Sequence, residues 1–129
     1  MPKVMISCPV YPSEDPDKVS AAILRIFPDA VLEASEKGLH GTCESLGEFS
    51  RMIRRQKILD TARSVLLRGT SSDRIVFYLN KQVATVGKVS FTEERTILGS
   101  IRVTVENPEP SVLVDSVAPF TVDGQEVRI

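Results

Sequence analysis

The chain has 129 residues, 42% of them hydrophobic, and its 16 basic and 17 acidic side chains give a formal net charge of −1. These values are typical of one globular domain that buries a core without metal or disulfide support, and they exclude disorder, collagen and coiled coil. No stretch approaches the roughly 20 apolar residues of a membrane-spanning helix, and Pro9 and Pro12 interrupt the opening segment too soon for a signal peptide. We therefore expect a single domain, residues 1–129, located in the cytoplasm.

Strands and one helix are predicted for the first part of the chain. Asp15 and Pro16 form a helix start, because a carboxylate accepts free backbone N–H groups and proline suits the first helical position. Apolar spacing predicts strands at Lys3–Val10, Ala30–Ser35 and Leu39–Glu44 and a helix at Pro16–Phe27. The stretch Glu36 to Gly38 suits a hairpin loop between the second and third strands.

A long helix is predicted next. The pattern from Ser45 to Glu48 is that of a capping box, and Gly69 suits a C-terminal cap after about Arg68. Its apolar residues point in two directions, with Phe49, Met52 and Ile53 on one side and Ile58, Ala62 and Val65 on the other. The helix therefore packs against two surfaces or breaks near Gln56.

The second half predicts more strands and a short helix. Ser100–Glu106 alternates cleanly between apolar and polar residues, which indicates an antiparallel sheet with one wet face. The other predicted elements are strands at Arg74–Asn80 and Val89–Thr92, a helix from Asn107-Pro108 through Val117, an Asp123-Gly124 turn and an extended segment at Gln125–Ile129. The order over the first 80 residues is that of a split βαβ unit. We predict an α+β fold of two layers, with helices mainly on one face of a largely antiparallel sheet.

Catalytic and metal-binding patterns are absent from the sequence. His40, Cys43 and Cys8 are the only His and Cys residues, one short of a structural zinc site, and His40 and Cys43 would point to opposite faces of a strand. The glycines form no phosphate-binding loop, and the acidic pairs lie in predicted loops. We expect a protein that is not an enzyme, with no cofactor, no metal and no small-molecule substrate.

Positive charge is concentrated on the long helix. Residues 46–69 carry six basic and two acidic side chains, whereas the segments on either side are net acidic. Arg51, Arg54 and Arg55 share one helical face and can meet successive phosphates, although the same residues also suit a merely solvated face. Lys81, Gln82 and Lys88 lie at or after the end of a strand, where they can contact a phosphate or cap the turn. We also predict that the Gln82 amide hydrogen-bonds backbone, and that Gln82→Ala costs about 1 kcal/mol.

Five stretches of the chain resemble a small archaeal family of uncharacterised proteins. They are Gln56–Arg63, Phe77–Ala84, Val86–Phe91, Leu98–Val103 and Ala118–Gly124. The resemblance covers nearly the whole chain. It implies the labels that family carries, predicted RNA-binding protein and predicted exosome subunit, and a fold similar to that of the ribosomal protein that binds 5S ribosomal RNA.

The hypothesis that follows is a non-enzymatic RNA-binding protein of RNA processing or translation. Its candidate RNA-binding residues are Arg51, Arg54, Arg55, Lys57, Arg63, Lys81, Gln82 and Lys88. The alternative is an assembly protein that acts through homodimerisation or a protein partner. Two features favour a homodimer: the long helix turns apolar residues to two sides, and Pro9 is the only evident protection of a free sheet edge.

Overall fold

Five antiparallel strands form the main sheet of this protein, in a computed structural model that describes residues 3–36, 38–92, 99–122 and 125–126. The strands are β1 Lys3–Pro9, β2 Val31–Ser35, β3 Gly38–Cys43, β4 Arg74–Leu79 and β5 Ile101–Glu106. They lie in the order β2-β3-β1-β5-β4. A separate two-stranded ribbon pairs β6, Thr121–Val122, with β7, Gln125–Glu126.

The described residues form five helices, which pack on one side of this sheet. They are α1 Pro16–Ile26, α2 Gly47–Arg55, α3 Leu59–Arg68, α4 Lys81–Thr85 and α5 Pro110–Val117. Val4, Ile6 and Cys8 of β1 point to the helices and are buried, whereas Ser7 between them is exposed. The predicted α+β class, with an antiparallel sheet and helices on one face, is therefore confirmed. None of the helices in the described part of the chain is long and apolar enough to span a bilayer.

An aromatic cluster lies at the centre of the core. The ring of Phe49 on α2 is stacked 5.3 Å from that of Phe77 on β4 and 6.1 Å from that of Phe27, the residue that caps α1. Phe91 meets Phe49 edge to face, with the ring centroids 6.2 Å apart. Because Phe27, Phe49 and Phe77 are almost completely buried, this cluster fastens α1 and α2 to the sheet.

The predicted long helix is two helices, as the alternative of a break near Gln56 anticipated. The Lys57 N–H donates to the Arg54 carbonyl at 3.1 Å and the Ile58 N–H donates to the Ile53 carbonyl at 3.0 Å, which is the Schellman pattern of a helix end. Lys57 has a φ of 59°, in the left-handed region. The two apolar faces thus belong to α2 and α3, and both are covered within the chain: Ala62 is buried, and Ile58 and Val65 pack against the core. They do not supply the dimer surface that the sequence suggested.

Replacing Lys57 with glycine is expected to raise the free energy of unfolding by about 0.5–1 kcal/mol, because glycine adopts a positive φ without a Cβ clash. Urea denaturation measures the change. Ser64→Gly, at an exposed position inside α3, is the control and is expected to lower stability by about 0.5 kcal/mol. A loss of stability in Lys57→Gly would contradict the left-handed assignment.

Several local predictions differ from the structure. The predicted strand Val89–Thr92 is reduced to a bridge of Phe91 to Leu79, with backbone bonds on either side. The capping box does not form: Ser45 accepts from the Gly47 N–H at 3.1 Å, but the Glu48 carboxylate pairs with Arg51. The Asp123-Gly124 turn and residues 127–129 lie outside the described residues.

Candidate nucleic-acid interface

The three arginines of α2 have different surroundings. Arg54 is half-buried, and its guanidinium donates to the Ser50 hydroxyl and, at 3.4 Å, to the Ser116 carbonyl on α5. Arg51 and Arg55 are both exposed, one helical turn apart, and Arg51 donates to Glu48 at 2.9 Å. The outward stripe of α2 therefore consists of Arg51 and Arg55, and Arg54 is directed towards α5.

The side chain of Gln56 joins the end of α2 to the segment after α4. Its Nε2 donates to the Val89 carbonyl at 2.8 Å, and its Oε1 accepts from the Val89 N–H at 2.7 Å. This pair of bonds holds residue 89 as a neighbouring strand would. Lys88 precedes the bonded Val89 in the chain and Arg55 and Lys57 flank Gln56, so these bonds bring the two segments together, and all three basic side chains are exposed.

Arg25, at the end of α1, adds a fourth cation that the sequence did not single out. Its guanidinium donates to the Thr85 carbonyl at 3.1 Å, and a Cβ at Gly87 would lie 3.3 Å from its Nη1. Arg25 is thus next to the Gly87-Lys88 peptide, although Arg25 and Lys88 are 63 positions apart in the chain. No sequence signal joins the two, because their proximity depends on the packing of α1 against α4.

We call these side chains the basic surface: Arg25, Arg51, Arg55, Lys57 and Lys88. Among the described residues only Arg51 of this set has a carboxylate partner. The other four positive charges are exposed without a neutralising neighbour in that part of the chain. Several such charges on one side of a domain attract a polyanion even when the net charge is near zero.

Besides Arg54, two further predicted RNA-binding residues are engaged in contacts within the protein. Lys81 is 3% exposed, and its ammonium donates to the Pro9 carbonyl at 2.6 Å and to the Glu14 carboxylate at 2.9 Å. Arg63 pairs with Asp115 at 2.8 Å and donates to the Ala118 carbonyl at 3.2 Å. The buried Lys81 cannot reach a phosphate, so we remove it from the candidate site, and Arg63 serves to hold α3 to α5.

The end of β4 is a helix start rather than a contact site. The Asn80 carboxamide accepts from the Val83 N–H at 3.0 Å and caps α4, a helix that the sequence did not predict, although capping of a turn was one of the two roles expected at the end of this strand. Gln82 is exposed, and its side chain makes no hydrogen bond with the described residues. Its backbone carbonyl accepts a hydrogen bond from the Thr85 hydroxyl. The predicted Gln82 amide bond to backbone is therefore wrong, and the expected loss in Gln82→Ala has no structural basis.

The cysteines and the histidine do not form a reactive group. Burial is the main cause that raises the pKa of both the Cys8 and Cys43 thiols to about 11, which keeps them protonated at neutral pH. His40 is exposed on the opposite face of β3 from buried Cys43, as the strand alternation predicted. Within the described ranges, no three His, Cys, Asp or Glu side chains are grouped to hold a metal ion.

Comparison with known proteins places the chain in a family. A family model described as RNA binding matches residues 3–107. The chain is 43% identical over 129 residues to a UPF0200/UPF0201 protein of Archaeoglobus fulgidus, covering 98% of this chain but only 40% of that relative. It is 40% identical to a UPF0201 protein of Pyrococcus horikoshii, covering 98% of this chain and 96% of that one. The crystal structure of a UPF0201 protein from Methanococcus jannaschii is similar, with a TM-score of 0.90, 35% identity and coverage of 98% and 99%. The chain therefore belongs to the UPF0201 family and to the family that the RNA-binding model describes.

Proposed function

We propose that this protein binds RNA without catalysis, through phosphate contacts made by the basic surface. The proposal depends on the two hydrogen bonds between the Gln56 side chain and the Val89 backbone. These bonds bring the segment that contains Lys88 to the end of α2, where the other two cations lie. A cluster built from three separate parts of the chain presents several charges to one stretch of backbone phosphates. Each contact releases counterions, which supplies most of the affinity of such complexes.

The kind of RNA recognised follows from the chemistry of the side chains. Arginine and lysine contacts to phosphate fix position and carry no sequence information, so we propose recognition of RNA backbone and shape rather than of a base sequence. The match to the RNA-binding family model supports RNA as the polyanion. The archaeal family that the chain resembles carries the label of a predicted RNA-binding protein, and we propose on that basis that the ligand is a structured RNA of RNA processing or translation.

Reversing two charges of the basic surface is expected to weaken RNA binding. Lys57→Glu/Lys88→Glu changes one exposed cation in each of the two segments that the Gln56–Val89 hydrogen bonds join. We expect at least a tenfold rise in the dissociation constant for a labelled RNA hairpin at low salt. Fluorescence anisotropy measures the affinity, and circular dichroism confirms that the variant is folded.

The matched control is Arg68→Glu/Arg74→Glu, which makes the same change in net charge at two exposed arginines outside the basic surface. We expect this control to bind within about threefold of the unmodified protein. An equal loss in both double variants would show that only the overall charge matters and would contradict the assigned surface.

Assembly through homodimerisation is the second candidate function. The observation that favours it is the sheet face turned away from the helices, where Val31 on the edge strand β2 is 68% exposed. A β-branched side chain on an exposed face gains free energy when a partner covers it.

A further inference from the structure

The face of the sheet that points away from the helices is the part of the molecule that the proposed RNA contacts do not use. Strand pairing sets its side chains in two rows that cross all five strands, in the order β2, β3, β1, β5, β4. The first row is Glu33, His40, Ser7, Arg102 and Tyr78, and the second is Val31, Thr42, Met5, Thr104 and Val76. A groove of about 460 Å³ lies over the first four of these strands.

The first row is polar and carries opposite charges at separate places. Glu33 lies on β2 and Arg102 lies on β5, three strands away, which is about 14 Å at the usual strand spacing. They do not pair with each other, and Arg102 has no carboxylate partner among the described residues. The only partner of Glu33 in the same range is His40, at 3.9 Å.

The sizes of the side chains alternate as well. The bulky imidazole of His40 lies directly beside the small Ser7 in the first row, and in the second row Thr42 lies beside the longer Met5. Each row therefore has a projection and a depression on the two middle strands, β3 and β1. The second row is mostly apolar, since Val31, Met5 and the threonine methyl groups provide it with hydrocarbon surface.

We propose that a second copy of this chain stacks on this face, related by a twofold axis that runs parallel to the strands between β3 and β1. The operation exchanges β2 with β5 and β3 with β1, so each row lies over the same row of the second copy. Glu33 then faces the partner's Arg102, and the contact occurs twice. His40 enters the space over the partner's Ser7, and Met5 packs on the partner's Thr42. Two sheets packed face to face in this way keep their strands roughly aligned, about 10 Å apart.

This arrangement rests on the second candidate function, homodimerisation, and gives it a surface and a register. Four strands of about six residues cover an area of roughly 19 by 20 Å, so the contact buries on the order of 1,000 Å² in total. That is the lower limit for a specific interface, so we expect a weak dimer, with a dissociation constant in the micromolar range. Buried apolar side chains in the second row supply affinity, and the two charge pairs of the first row fix the register.

Charge reversal at the two paired positions tests the arrangement. In the variant Glu33→Arg, two arginines face each other in each of the two contacts. In the variant Arg102→Glu, two glutamates face each other in each contact. Each single variant is expected to raise the dimer dissociation constant at least tenfold in sedimentation equilibrium. The double variant Glu33→Arg/Arg102→Glu restores both contacts with the charges exchanged, and we expect it to dimerise within about threefold of the unmodified protein.

An equimolar mixture of the two single variants is the sharpest form of the test. In a heterodimer of Glu33→Arg with Arg102→Glu, both contacts join opposite charges, so the mixture is expected to dimerise although each variant alone is monomeric. If the unmodified chain is monomeric throughout the micromolar range, homodimerisation itself is refuted. If it dimerises but the single variants dimerise equally well, the proposed face and register are wrong while homodimerisation stands.

Discussion

Replacing Phe49 with alanine is expected to lower the free energy of unfolding by about 4 kcal/mol. The ring is fully buried and stacks with Phe27 and Phe77, so the substitution removes apolar contacts with α1 and with the sheet at once and leaves a cavity that neighbouring backbone cannot fill. Since small domains are stable by only about 5–15 kcal/mol, this is a large share of the total. Urea denaturation monitored by circular dichroism measures the change.

The matched control for this variant is Leu67→Ala. Leu67 lies on α3 and is 43% exposed, so its truncation removes a comparable side chain without opening a cavity, and we expect a loss below about 1 kcal/mol. Equal losses in the two variants would show that Phe49 is not in the centre of the core.

Removal of the buried ammonium of Lys81 is the second large expected effect. Lys81→Ala is expected to lower the free energy of unfolding by about 3 kcal/mol, because it leaves the largely buried Glu14 carboxylate and the Pro9 carbonyl without their common donor. The ammonium also lies 5.4 Å from the centre of the Tyr11 ring, so the contact holds the segment after β1 against α4. Lys88→Ala, at an exposed lysine seven residues on, is the control and is expected to change stability by less than about 0.5 kcal/mol.

The pH dependence of stability separates this ion pair from simple packing. Burial alone would raise the pKa of the Glu14 carboxyl, but the Tyr11 N–H and the Lys81 ammonium together lower it below its usual value of 4.5. A carboxyl whose pKa is lower in the folded state stabilises the protein above its unfolded pKa, and this contribution is lost as the pH falls through the folded value. The difference in stability between the unmodified chain and Lys81→Ala should therefore shrink as the pH falls through and below the usual carboxyl pKa of 4.5. If the difference in stability between the two proteins does not change with pH, the whole effect of Lys81→Ala comes from lost packing of the lysine hydrocarbon chain and not from the ion pair.

The sequence predicted the strands better than the connections between them. The alternation of apolar and polar residues predicted the bounds of β1, β4 and β5 to within one residue. It does so because every second side chain of such a strand is buried against the helices and must be apolar. The break after α2 was predicted only as an alternative. The residue with left-handed backbone conformation at this helix end is Lys57, and a lysine, unlike a glycine, does not indicate a helix end in a sequence. The helix α4 was missed because five residues are too few to show a helical apolar spacing.

The candidate site was predicted only in part, because its composition depends on contacts between distant segments. The excess of positive charge on residues 46–69 located Arg51, Arg55 and Lys57. Arg25 depends on the packing of α1 beside α4, and no local pattern reports that contact. Lys81 was misjudged for the same reason, since lysine is rarely buried and its partner Pro9 is 72 residues away in the chain.

The salt dependence of RNA binding tests the central claim most directly. Affinity of the unmodified protein for the labelled RNA hairpin is measured between about 50 and about 200 mM salt. Four or five phosphate contacts by the basic surface predict a slope of about −4 in the plot of log association constant against log salt concentration, and Lys57→Glu/Lys88→Glu should make that slope less steep by at least about one. Absence of binding at the lowest salt, or an affinity that salt does not change, would contradict RNA binding by this surface.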